Sequence, residues 1–379
     1  MKFIHTSDWH IGRQFHNVSL LDDQQHVINQ IILYIQNEDV DALVIAGDIY
    51  DRALPPSTAV SLLDETLSKI CLELGVPIIL ISGNHDSSER LRFGSKQMQS
   101  AGLHILGDLT KVTEPIIIKA KTKTKGKDIA FYGIPYCDPQ TVRNTFDVDV
   151  TSYDEAHTYL VDSISSSKLS TQVNVLISHC YIDGAKESDS ERPLQIGGSD
   201  RVSFEPCLSF DYVALGHLHS PQYKGSEHIR YSGSIMKYSF SEQHQKKGVT
   251  LVEIDDFGTV SHKHLPLHPK KDLRILTGDL ATIIKTGKND IHNEDYILVR
   301  LTDTHAILDP MGKLRDVYPN VLHLEKVGGT ILIDNQLKRE ALKRGEYSMF
   351  KDFFSQVTGE TMTHEQDKKI ADLINSMKS

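Results

Sequence analysis

Five short polar clusters stand between residues 8 and 219, each rich in side chains that bind cations: Asp8-x-His10, Gly47-Asp48-x-x-Asp51, Gly83-Asn84-His85-Asp86, an isolated His179, and Gly216-His217-x-His219. Asp8, Asp48, Asn84, His10, His179, His217 and His219 together offer carboxylate, amide and imidazole donors. A mixed oxygen and nitrogen set suits Mn²⁺, Fe²⁺ or Zn²⁺ better than Mg²⁺ or Ca²⁺, which favour oxygen alone. No cysteine takes part, which argues against a structural zinc site. A lone histidine is more often a core or surface residue than a ligand. Recurrence of such residues at one structural place on successive elements is what turns them into a candidate dinuclear metal site.

That place is the end of a strand. A short apolar segment runs into Asp8-x-His10, Val40–Ala46 into Gly47-Asp48, Val76–Ile81 into Gly83-Asn84-His85, Val173–Ile177 into His179, and Tyr212–Leu215 into Gly216-His217. Between the first three, apolar residues at 27, 28, 31, 32 and 35, and again at 59, 60, 62, 63, 67 and 70, recur at helical spacing. Ser57 is predicted to cap the second of these helices. The nearly all-apolar strands are those of a buried sheet, and strand–helix–strand alternation predicts an α/β layered fold with its chemistry on one edge. After residue 100 the pattern turns richer in β-structure. Ile116–Ala120 and Asp128–Ile134 flank a Lys-rich tip (121–127), Tyr153–Ser165 reads as a helix, and Ile229–Ser232 and Gly248–Ile254 read as closing strands. Tyr181–Arg201, rich in Gly, Ser and charge, is an excursion over the same edge and a candidate substrate loop.

The chain of 379 residues carries a net charge of −10, which argues against a protein that holds nucleic acid by bulk positive charge. Fourteen acidic against seven basic side chains fall within residues 1–110, a local excess that makes chemical sense where bound cations invert the field. No apolar run reaches the length of a membrane span, and nothing resembling a signal peptide precedes the first strand. Cys71, Cys137, Cys180 and Cys207 are scattered without a C-x-x-C pair, as reduced thiols in a cytoplasmic protein would be. Pro266, Pro269 and a Lys-Lys pair interrupt the pattern near 265–272. Beyond them the segment Leu273–Leu332 mixes short strands and turns. Met349, Phe350, Phe353, Phe354 and Val357 then form one helical stripe, and Thr363-x-x-Gln366 is a capping box before Ile370, Leu373, Ile374 and Met377. These two amphipathic helices either fold back on the core or dock on a partner. The expected domains are therefore 1–265, 266–338 and 339–379.

The five clusters, in this order, resemble the calcineurin-like metallophosphoesterases over residues 1 to about 255. The run His5–Gly12, its early placement, the Tyr231–Ser234 segment, the small second domain and the helical tail are similar to the SbcD family of bacterial nuclease subunits. The resemblance implies a four-layer β-sandwich flanked by helices, with a small α+β capping domain. It implies two metal ions about 3.5–4 Å apart bridged by Asp48, with a water between them as the nucleophile on phosphorus. Asp8, His10 and His219 would hold the first ion, and Asn84, His179 and His217 the second. His85 would stabilise charge and protonate the leaving oxygen, oriented by Asp51. Here the chain departs from the archaeal nucleases, which carry His at the place of Asp51. Arg52 is either a phosphate contact, as in some phosphatases, or a solvated surface residue.

The same resemblance implies two Mn²⁺ per chain, with Mg²⁺, Fe²⁺ or Zn²⁺ as alternatives, and DNA ends and hairpins as substrate. It further implies a homodimer within a heterotetramer whose other subunit is an SbcC-like ABC-type ATPase with a coiled coil, gripped by the tail. No G-x-x-x-x-G-K-[ST] occurs, so any ATP dependence must come from that partner. Two other readings stand beside the nuclease: a phosphoesterase acting on a small phosphodiester or a phosphoprotein, and a non-catalytic scaffold braced by its metals.

Overall fold

The computed structural model describes residues 1–119, 127–168, 172–191, 200–305 and 307–327, and within 347–376 a set that includes the helix His364–Ser376. The chain divides into two compact units between Asp272 and Leu273.

The first unit is built on two six-stranded sheets. One runs in the order Val260–Pro266, Gly248–Ile254, Lys2–Thr6, Ala42–Ala46, Ile78–Ile81, Leu103–Leu106. Its last four strands are parallel, and Gly248–Ile254 pairs antiparallel with both neighbours. The other runs Gln222–Lys224, Ser226–Tyr231, Tyr212–Gly216, Val173–His179, Ile129–Ile134, Ile116–Ile118, with a parallel centre and an antiparallel hairpin at each margin. Strand alternation decides what lies between them: Phe3, Val44, Ala46, Ile79, Ile81, Phe131, Val175, Ile177 and Ala214 form one buried cluster. Phe3 meets Phe131 edge-on at 5.3 Å and Tyr212 at 5.7 Å.

The intervening residues face outward and are just as buried. Leu176, Val213 and Leu215 pack with Leu160, Val161 and Ile164 of the helix Tyr153–Ser167. Leu43 and Ile45 lie on the face where the crossover helices Leu21–Asn37 and Ser57–Ser68 run. Helices, sheet, sheet and helices make the four layers that the resemblance implies.

Several details differ from the sequence reading. Ser57 is the first helical residue rather than the cap; Pro56 occupies the cap position, and no side chain bonds there. Val260–Pro266 and Leu103–Leu106 are strands that the hydrophobic pattern does not single out. Both sit at sheet margins, where the pattern weakens because one side of the strand faces water. The helix at Tyr153 starts with a full capping box between Ser152 and Glu155. The Lys-rich tip lies outside the described residues except for Lys127, as do 192–199 of the excursion and Met349, Phe353, Val357 and Met377 of the tail. Thr363 and Gln366 do bond reciprocally at the start of His364–Ser376. All four cysteines are free, and among the described residues no helix is long and apolar enough to cross a membrane.

The second unit has a parallel three-stranded sheet, Leu273–Gly278, Tyr296–Leu301 and Val321–Lys326, with a helix in each crossover. These helices, Leu280–Gly287 and Pro310–Arg315, stand where the sequence reads only as turns, although Asp279 and Asp309 cap them in the expected way. Leu280, Ile283, Ile297, Val299, Leu314 and Tyr318 form the core of this unit.

Two core histidines of the first unit give it a pH dependence. Burial drives His5 down to about 3 and His157 to about 4, so both are neutral in the fold. Their unfolded value is near 6.5, so between 6.5 and 4 the unfolded chain binds protons that the native state refuses. Stability is complete above 6.5 and lost on acidification, at about 1.4 kcal/mol per pH unit for each group. Urea midpoints of His157→Gln, which keeps a polar partner for the Ser178 hydroxyl, are expected to fall less steeply than wild type over that window. Identical slopes would refute the assignment.

Candidate metal centre

Within each sheet the strands that carry polar clusters run parallel to one another, so the clusters emerge at one edge. The loops after the first two strands are then laced together. Asp8 N–H donates to Gly47 O at 3.1 Å, His10 N–H to Asp48 O at 3.0 Å and Ile11 N–H to Ile49 O at 2.9 Å. A third loop is tied in by Asp86, whose carboxylate accepts the N–H groups of Ile49, Tyr50 and Gly83 at 2.9–3.0 Å.

Backbone strain marks the same residues. Asp8, His10, Asp48 and His217 all have left-handed φ, at 53°, 46°, 49° and 105°. Non-glycine residues tolerate that region poorly, and they persist there only where surroundings over-determine them. Two glycines make room for this. A Cβ on Gly47 would overlap the His179 ring, and one on Gly83 would overlap Asp48.

The candidate residues converge. Asp8, His10 and His219 present ligand atoms within 4.8 Å of one another, as do Asp8, Asp48 and His179. Asp48 Oδ2 lies 3.7 Å from His10 Nε2 and 3.5 Å from His179 Nε2, so it stands between two groups of donors. On one side His10 Nε2 is 3.1 Å from His219 Nε2. On the other, Asn84 Oδ1 is 3.0 Å from His179 Nε2 and 3.2 Å from His217 Nδ1. Asp8, His10, Asp48, His179, His217 and His219 are all buried, and Asn84 is half-buried.

Hydrogen bonds at the far side of the rings settle several tautomers. His179 Nδ1 is 2.9 Å from Ala46 O, and a carbonyl can only accept, so Nδ1 carries the proton and Nε2 turns a lone pair inward. His85 Nδ1 is likewise bound to a carbonyl, Asp51 O, at 2.8 Å. Asp51 therefore holds His85 through its backbone; its carboxylate is bonded to Arg13 at 3.2 Å and faces His10 Nδ1 at 3.9 Å. Arg52 is exposed, 3.7 Å from the Asp51 carboxylate.

The centre is electrostatically incomplete as a set of protein groups. Burial, and next the Asp48 charge, push Asp8 well above the usual carboxylate range. Burial and neighbouring imidazoles hold His10 and His217 well below theirs, and burial lowers His179 despite Asp48. Neutral imidazoles and carboxylates thus aim lone pairs at common points, and His10 Nδ1 is buried without a hydrogen-bond partner. A cation is the group that satisfies this arrangement, and the mixed donors suit a transition metal better than Mg²⁺.

Sequence reasoning missed five supporting residues, Asp86, Ser190, Glu191, Glu242 and Lys247. Asp86 lies inside a recognised cluster, yet its spacing suggests no role for it. Glu191 accepts the His219 N–H at 2.8 Å, and Glu242 and Lys247 form a buried pair behind it at 2.5 Å. Burial alone would raise Glu242, yet Lys247 and His219 outweigh it and keep the carboxylate ionised. In the sequence these are an ordinary acid and lysine five residues apart, with nothing to mark their burial.

A family model for the calcineurin-like phosphoesterases matches residues 1–221, and one for the type 5 capsule protein repressor C-terminal domain matches 269–358. The SbcD subunit of the nuclease SbcCD from Staphylococcus epidermidis is 36% identical over 99% of this chain and 98% of its own length. A dimetal phosphatase from Danio rerio is similar in structure at a TM-score of 0.39 and 13% identity, covering 71% of this chain and 99% of its own. A Thermus thermophilus protein is similar at a TM-score of 0.39 and 12% identity, covering 69% of this chain and 98% of its own.

The Asp86 staple has a measurable worth. Asp86→Ala strands three backbone N–H groups, those of Ile49 and Gly83 being buried, and each unsatisfied donor costs about 1–3 kcal/mol. Chemical denaturation is expected to show a loss of roughly 3 kcal/mol or more. A loss below about 1 kcal/mol would mean that water replaces the carboxylate.

Proposed function

The chain belongs to the calcineurin-like phosphoesterases and, within them, to the SbcD family of nuclease subunits, and on that footing we propose that it cleaves DNA with two Mn²⁺ ions held by Asp8, His10, Asp48, Asn84, His179, His217 and His219. It is a metal-dependent phosphodiester hydrolase, and its family works through a pair of metal ions. The observation that carries the residue assignment is Asp48, whose Oδ2 lies 3.7 Å from His10 Nε2 and 3.5 Å from His179 Nε2. In this reading Asp8, His10 and His219 serve one ion, Asn84, His179 and His217 the other, and Asp48 both. Bound there, the ions supply Lewis-acid polarisation of the phosphoryl group and lower the pKa of a water nucleophile.

The remaining chemistry belongs to the chain. His85 is next to Asn84, donates its backbone N–H to Asp48 Oδ1 at 2.9 Å, and sets its ring edge-on to that of His10 at 4.6 Å. With Nδ1–H committed to Asp51 O, its Nε2 is the atom that gains a proton and passes it to the leaving oxygen. Asp51 positions this ring by its carbonyl, while its carboxylate keeps Arg13 in place.

DNA as substrate and an SbcC-like ATPase as partner are supported by the relative that matches nearly the whole chain. We assign double-strand exonuclease and single-strand or hairpin endonuclease activity to a homodimer within the complex. Residues 266–338 guide the DNA, and 339–379 grip the coiled coil of the ATPase. The net charge of −10 supports this division, because backbone phosphates need cations that this chain does not supply in bulk.

Purified full-length protein with Mn²⁺ is expected to cut end-labelled duplex and hairpin DNA. Hydrolysis of bis-p-nitrophenyl phosphate without any cleavage of DNA would favour the small-ester reading instead. His85→Ala is expected to lose about 10²–10⁴-fold in rate while elemental analysis still finds two metal ions per chain. Unchanged cleavage in that variant would remove His85 from the mechanism. Deleting 341–379 is expected to spare Mn²⁺-dependent cleavage and abolish copurification with the ATPase; full binding by the truncated chain would contradict the tail assignment.

A further inference from the structure

The excursion Tyr181–Arg201 reads from sequence as a substrate loop, but two of its residues turn inward. Ser190, only 8% exposed, places Oγ 2.6 Å from His219 Nδ1 and bonds on its other side to Glu242 Oε1. A carboxylate can only accept, so the single hydroxyl proton goes to Glu242 and the serine oxygen must accept from His219 Nδ1–H. That fixes one tautomer and leaves the Nε2 lone pair of His219 directed at the centre. The next residue, Glu191, accepts the His219 backbone N–H at 2.8 Å. Lys247 closes the frame: its ammonium bonds to His219 O at 2.7 Å and to Glu242 at 2.5 Å.

His219 is thus gripped at its N–H, its C=O and its outer ring nitrogen. The other rings have simpler support, a backbone carbonyl for His179 and no hydrogen-bond partner for His10 Nδ1. Burying the Glu242–Lys247 pair is a poor route to stability, because desolvating two charges offsets most of their attraction. Its geometry does orient Ser190.

We propose that Ser190 and Glu191, anchored by Glu242 and Lys247, are positioning residues for His219, so that these two residues form part of the support of the Asp8–His10–His219 ion site. This rests on reading His219 as a metal ligand. Outer partners of a ligating imidazole set its tautomer and basicity, and their loss typically weakens metal affinity about 10–100-fold.

The test is a Mn²⁺ titration of the metal-free full-length protein by calorimetry, with the free ion followed by electron paramagnetic resonance. Wild type should bind two ions. Ser190→Ala should weaken one of them by about 10–100-fold and leave the other unchanged, with Ser190→Thr restoring it. Glu191→Gln, which keeps an acceptor oxygen but removes the charge, should weaken the same ion less. Two wild-type affinities in Ser190→Ala would overturn the positioning role and leave the metal-centre reading intact. Equal weakening of both ions with a lowered melting midpoint of the metal-free protein would also overturn it, as a general structural effect. A wild-type protein that binds no Mn²⁺ would overturn the metal-centre reading and this proposal together.

Discussion

Asp8 and Asp48 are buried with carboxylate oxygens within 4.8 Å of each other, and two ionised carboxylates at that separation would repel by roughly 3 kcal/mol even at an effective dielectric of 20. That repulsion adds to burial in pushing Asp8 well above the usual range. Three imidazoles around them are of no help, because burial lowers His10, His179 and His217 and disfavours their charged forms. A protein does not assemble such a group for stability. The repulsion has to be held by everything around it, and the first unit can be understood as the apparatus that holds it. Two parallel sheet centres put the strand ends on one edge, the Phe3–Phe131–Tyr212 contacts fix how the sheets stack, and backbone bonds between loops prevent the acidic ends from separating.

The loops cannot yield by relaxing into ordinary conformations either. Left-handed φ at Asp8, His10, Asp48 and His217 aims each side chain inward, and each such residue costs on the order of 1–3 kcal/mol. The strain is tolerated because neighbouring groups leave no alternative. His217 N–H donates to both oxygens of Asp8, and the Gly83 backbone lies so close to Asp48 that a side chain there is excluded. The arrival of cations relieves the charge repulsion and offsets the cost of the strained turns.

What was legible in the sequence follows from range. The strand ends could be read because an apolar run and the polar residue that ends it are adjacent in the chain. The spacing of Gly47, Asp48 and Asp51 or of Gly83 to Asp86 likewise reflects local turns. Ser190, Glu191, Glu242 and Lys247 were not legible, since their common partner His219 lies up to 29 residues away and they bind it partly through backbone atoms, which have no residue-type signature. Asp51 shows the limit of a motif. Its position beside His85 was readable, but the atom that does the holding is a carbonyl every residue possesses. The helices capped by Asp279 and Asp309 are a different case, because those signals were present locally and outweighed by the short apolar runs around them.

The acidic balance of the chain then takes on a definite meaning. A phosphodiester approaching this edge would meet Asp8, Asp48, Asp51 and Glu191, a field that repels it while the centre holds only protein groups. With cations bound the sign reverses at the same spot, and Arg13, an organic cation beside Asp51, is already committed to the Asp51 carboxylate and to Ser190 O. Substrate attraction on this edge is therefore conditional on metal, whatever the rest of the surface does. A chain built this way gains selectivity against unproductive binding of phosphodiesters while its centre holds only protein groups.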